Sequence, residues 1–188
     1  GPGINPGVGM NITYGIFIMK GGNVKILHNS IFLSGPYLSA MNDASSACLG
    51  FYYQATGGNF EVRNNILQNS MVSNGGTIDY GRAYGIMIAS TAAMFTVIDN
   101  NDYFIDGYNG SVGQVYVNSV SITDYPTLAS WQAYTGQEAN SLAIDPAFIS
   151  PVNLVPTATT MNNAGSYIPS LPTDINGTIR SNPPDMGA

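Results

Sequence analysis

The chain has 188 residues, a formal net charge of −6, only 9% charged residues and 44% hydrophobic ones. That length suits one domain with a continuous core, and the apolar fraction excludes a disordered tail. Five Lys and Arg are too few for phosphate-backbone binding, which excludes nucleic acid as a partner, and no apolar run approaches the ~20 residues that span a bilayer.

In chain order, Gly1-Pro2-Gly3 resembles the scar of a site-specific tag protease, so residues 1–10 read as a scar and lead-in to a piece of a longer protein. Residues 11–123 carry a repeat. Tyr14-Gly15-Ile16-Phe17-Ile18 returns as Leu49-Gly50-Phe51-Tyr52-Tyr53 and as Tyr84-Gly85-Ile86-Met87-Ile88, with the glycines 35 apart each time. A second landmark follows each glycine: Val24-Lys25-Ile26-Leu27-His28-Asn29, Phe60-Glu61-Val62-Arg63-Asn64-Asn65 and Phe95-Thr96-Val97-Ile98-Asp99-Asn100. Its apolar and polar positions alternate, the period-two mark of a half-buried strand. The expectation is that Gly15, Gly50 and Gly85 form one column. Asn29, Asn65 and Asn100 should form a second, as a ladder of side-chain amides ~4.8 Å apart.

Insertions rich in Gly, Ser and Asn occupy 35–47 and 68–83. Loops on successive repeats gather on one side and form a binding face. Tyr37, Asp43, Asp79, Tyr80 and Arg82 are therefore the candidate ligand-binding residues, with tyrosine rings suited to stacking on sugar. The lone Cys48 reads as a small buried hydrophobe, with no disulfide available. Lys25 should share a row with Glu61 and Thr96, and His28 a row with Asn64 and Asp99. His28 alone carries no catalytic constellation, since Asp99 lies two windings away, roughly 10 Å. Asp99, Asp102 and Asp106 form the densest carboxylate run, of a kind that can bind calcium, although turn-forming Asp and Asn account for most of it. No other metal or cofactor is indicated. Residues 124–188 read as a short helix, N-capped by Asp124 and ending at Gly136, then a proline-rich strap tied down by an Asp174–Arg180 ion pair.

The Ile-x-x-Asn corner step resembles the repeat of right-handed parallel β-helix proteins of the pectate-lyase-like family. The tail strengthens the resemblance: Trp131-Gln132 with Thr135-Gly136-Gln137-Glu138, Ser141, then Asp145-Pro146-Ala147-Phe148, matches a segment that ends many bacterial secreted β-helix proteins. The resemblance implies an all-β right-handed parallel β-helix solenoid of about four coils, in a protein that is secreted or at the cell surface. Because that family mixes enzymes with non-enzymatic surface proteins, it leaves the reaction open. The residues favour a non-catalytic module that binds polysaccharide or a cell-surface glycan, with self-association through an exposed N-terminal coil. The alternatives are part of a polysaccharide lyase or glycoside hydrolase, with Asp43 and Asp79 across a groove, and a structural stalk or cap.

Overall fold

A computed structural model describes residues 12–36, 45–54, 58–72, 81–117 and 121–187. Among them, strands β1 (Ile12–Lys20), β2 (Lys25–Leu27) and β3 (Ser30–Pro36) form a first layer. Strands β4 (Ser45–Gln54), β5 (Phe60–Arg63) and β6 (Ile66–Val72) form a second. Strands β7 (Ala83–Ile88), β8 (Phe95–Asp99) and β9 (Asp102–Phe104) form a third. Strand β10 (Ser111–Val117) follows, then β11 (Ser121–Tyr125), helix α1 (Leu128–Thr135) and the pair β12 (Phe148–Ser150) and β13 (Asn153–Pro156).

The fold is mostly β, but the expected single right-handed β-helix of about four coils is corrected. The strands fall into separate sheets: a mixed five-stranded sheet β1-β4-β7-β10-β11, two three-stranded parallel sheets β2-β5-β8 and β3-β6-β9, and the antiparallel pair β12-β13. Two physical causes are visible. At the corners His28, Asn64 and Asn100 adopt positive φ of 54°, 61° and 54°, which breaks the hydrogen-bond ladders between sheets. After β10 the chain does not build a fourth layer in the other two sheets; it reverses, and β11 pairs antiparallel to β10, Gln114 opposite Asp124.

Alternation still sets the core. Ile26, Val62 and Ile98 lie in register across β2, β5 and β8 and are buried, as are Leu49, Phe51 and Ile86 of the five-stranded sheet and Leu67 and Tyr103 of the third. Each such side chain contributes about 1.5–3 kcal/mol by leaving water. Phe51 packs edge-on against both Phe60 and Phe95, at 5.2 and 5.5 Å. Cys48 is a buried free thiol whose Sγ approaches the Gln68 carbonyl at 3.3 Å, and burial raises its pKa strongly.

The expected glycine column does not form. Gly15 and Gly85 both fall level with Cys48, whereas Gly50 lies opposite Phe17 and Met87. A Cβ on Gly15 would sit 2.5 Å from Ile31 inside the core, and one on Gly50 would sit 2.3 Å from the Tyr14 ring on the outside. The glycines therefore answer different packing demands on opposite faces.

The C-terminal part wraps the layers. The helix begins after Thr127, whose hydroxyl accepts from the Ser130 amide in a capping box, so Asp124 is a strand residue and not its cap. Gly136 ends it with a φ of 67°. Residues 161–187 run along the corner: Gly187 N donates to Asn64 O at 2.8 Å, Ser166 N to Asn64 Oδ1 at 2.7 Å, and Met161 and Met186 bury against Ile66. The expected Asp174–Arg180 ion pair is absent. Asp174 instead accepts from the backbone amides of Asn176 and Thr178, both at 2.8 Å, closing its own turn.

Candidate functional site

Two features stand out: a polar column inside the molecule and an aromatic face outside it. The column is built by the corner asparagines. Asn29 donates from its backbone N and its Nδ2 to Asn65 Oδ1, both at 3.0 Å, and Asn65 does the same to Asn101 Oδ1 at 3.1 and 2.9 Å. The third rung is thus Asn101, not the expected Asn100. A bulge explains the shift, because Phe60 pairs with Phe95 but Glu61 pairs with Val97, so every later residue moves by one. The same bulge replaces Thr96 by Val97 in the Lys25–Glu61 row, and Asp99 by Asn100 beside His28 and Asn64. The Lys25–Glu61 ion pair itself forms, at 2.9 Å.

Beyond Asn101 the ladder ends on a carboxylate. Asn101 N donates to Ser141 Oγ at 2.9 Å, and Glu138 receives the hydroxyls of Tyr103 and Ser141, with Trp131 Nε1 at 3.3 Å and Asn101 Nδ2 at 3.4 Å. Glu138 is completely buried, and burial pushes its pKa up to about 7 against the pull of those four donors. Sequence reasoning quoted Glu138 only as part of the tail motif. Two of its four donors, Tyr103 and Asn101, lie 35 and 37 positions away, which no local spacing reveals.

The other candidate groups are scattered. His28 is buried between Asn64 Nδ2, 2.8 Å from Nε2, and Gly187 O, 3.2 Å from Nδ1. The amide can only donate, so the pattern assigns a neutral ring with its proton on Nδ1. Burial, assisted by Arg180 and Arg63, lowers the His28 pKa to about 4. The calcium candidates are not brought together. Asp99 accepts from Asn140 N and Nδ2, both at 2.8 Å; Asp106 accepts from Ser70; and Asp102 is buried, with Ile144 N at 3.0 Å from one oxygen and the other unpartnered. Among the described residues no three His, Cys, Asp or Glu converge as metal ligands. Burial pushes Asp102 up to about 7, which favours a protonated carboxyl over a cation ligand.

Of the predicted ligand-binding residues, Tyr37, Asp43, Asp79 and Tyr80 lie outside the described residues. Arg82 is described, exposed, and paired with Asp124 at 3.1 Å. It borders the outer face of the five-stranded sheet. There Gln114 Nε2 donates to Tyr84 Oη at 2.6 Å and to Asp124 Oδ1 at 2.9 Å, and Tyr84 Oη donates to the same oxygen at 3.1 Å. At the β1 side of this face, Tyr14 and Phe17 stack with centroids 4.5 Å apart over Gly50, and Phe17 lies 6.2 Å from Tyr52. Phe17 and Met19 are exposed, at 38% and 60%, because their neighbours Ile16 and Ile18 take the inward positions. The surface therefore combines exposed ring and thioether area with the partly exposed Arg82–Asp124 pair, beneath which Tyr84 and Gln114 are buried.

Comparison with family models, curated proteins and solved structures finds no match, so nothing in them identifies the pectate-lyase-like family. No helix among the described residues is long and apolar enough to cross a membrane.

Proposed function

We propose that the chain is a non-catalytic, extracellular glycan-binding or adhesion module whose contact surface is the aromatic outer face of the five-stranded sheet. The observation that carries this reading is the Tyr14–Phe17 stack over Gly50 with Tyr52 beside it, since aromatic faces pack on the apolar faces of sugar rings while hydroxyl and amide groups supply orientation. Among the described residues, the two acids whose pKa is raised, Glu138 and Asp102, are sealed from solvent, and both His28 nitrogens are engaged, so none of these three is presented to a polysaccharide. Binding to a panel of neutral and uronate polysaccharides tests the reading. Phe17→Ala should weaken binding about tenfold or more, as loss of a stacking anchor does, while Lys25→Ala on the opposite charged row leaves it unchanged. Turnover of any polysaccharide, or equal binding by Phe17→Ala, would overturn it.

A further inference from the structure

Among the described residues, no strand pairs with β1, β2 or β3 on the side away from β4, β5 and β6. The chemistry of this end is specific. Both Asn29 amide hydrogens are used, one on Leu27 O at 3.1 Å and one on Asn65 Oδ1 at 3.0 Å. Asn29 Oδ1 is therefore an acceptor pointing away from Asn65, with no donor from the described residues. In each following layer the equivalent oxygen receives two donors. On β1 the apolar side chains show the same asymmetry: Ile16 and Ile18 are only partly buried, whereas Leu49 and Phe51, paired with them on β4, are buried.

We infer that this end is a docking surface for one further parallel β layer, supplied in trans by a partner polypeptide and carrying a side-chain amide that donates to Asn29 Oδ1. The polarity of the ladder selects that occupant. A second copy related by two-fold symmetry would bring two Oδ1 acceptors together with no hydrogen between them. A second copy stacked head to tail would have to offer its other end, where the strand edges are already occupied. There β11 covers β10, Glu138 N and Gln137 Oε1 bond Ile98 at 3.1 and 2.9 Å, and Leu142 bonds Asn101 and Tyr103 at 2.8 and 2.9 Å. A layer running in the direction of β1–β3 offers what Asn29 offers Asn65, a backbone N–H and an amide N–H, together with strand edges for main-chain bonds.

The test uses the whole chain and a synthetic peptide of residues 24–36, which carries the corner amide and already makes this contact with the next layer. Added in excess, the peptide should slow hydrogen exchange at edge amides of β2 and β3 by about tenfold or more. The same peptide with Asn29→Ala should bind about fivefold more weakly, the loss expected of one hydrogen bond. No slowing at saturating peptide, or equal binding by the two peptides, would overturn the inference. So would concentration-dependent self-association that protects the same amides, or protection already complete in the dilute chain.

Discussion

The two ends of the stacked layers are built from the same strand types and finished in opposite ways. At the β10 end, every described edge is covered: β11 pairs with β10, residues 137–138 bond β8, and Leu142 bonds β9. Trp131 is fully buried there, in the space a side chain on Gly113 would take, 2.4 Å from its ring. The asparagine ladder stops on Glu138 and Ser141. At the β1 end the ladder stops on an acceptor with no donor from the described residues, and Ile16 and Ile18 of β1 keep part of their surface although Ile26 and Ile31 are buried. The lesson is that a ladder of identical amides has a direction. Its donor end can be finished by a carboxylate and a hydroxyl, whereas its acceptor end needs a donor from elsewhere.

The largest expected effect sharpens this contrast. Trp131→Ala should cost about 3–5 kcal/mol in chemical unfolding, because it opens a cavity under the closed end; a loss below about 1 kcal/mol would mean that the cap is dispensable. Next comes a gradient along the ladder. Asn65→Ala removes two donated and two accepted bonds inside the core and should cost about 2–4 kcal/mol. Asn29→Ala, at the open end, should cost about 1 kcal/mol. Equal costs at the two positions would break the comparison.

A third effect separates the ends by pH. From about pH 4.5 to about pH 7, Glu138 is ionised in the unfolded chain but keeps its proton in the fold, and Asp102 does the same from about pH 4. The folded state then binds more protons, so stability falls as pH rises through that window. His28 opposes them: its folded pKa of about 4 lies below the ordinary 6.5, so stability due to it rises with pH over the same range. Two acids against one imidazole leave a net fall approaching ~1.4 kcal/mol per pH unit. Urea unfolding across the window checks the sign, and Glu138→Gln should flatten the slope; an unaltered slope would show that Glu138 does not titrate there. The smallest effect belongs to the Lys25–Glu61 pair, whose exposed lysine lies on the open end; Lys25→Ala should cost no more than about 1 kcal/mol and less at high salt.

Much of the local pattern was legible. The alternation marked Ile26 and Val62 as inward positions but gave Val97 that place in the third copy, where Ile98 takes it; the Lys25–Glu61 match put those two in one row, and Gly136 marked the end of the helix. The glycine column and the third ladder position were misread because sequence similarity aligns residue types, whereas strand pairing aligns backbone hydrogen bonds. One bulge at Phe60–Glu61 moves Asn100 out of the ladder and Asn101 into it. The aromatic face was sought in the insertions; the stack lies on β1, where Phe17 and Met19 look like ordinary members of an apolar strand until Ile16 and Ile18 are seen to take the core.

The amino-acid order alone therefore determined which segments extend, which side chains seek the interior and which corners demand an amide, because these follow from periodicity and from the backbone preferences of single residues. The division into separate sheets, the register between layers, the burial of Glu138 and the difference between the two ends were decided by the folded chain. They depend on which backbone edges meet across dozens of residues, and that is a property of packing in three dimensions.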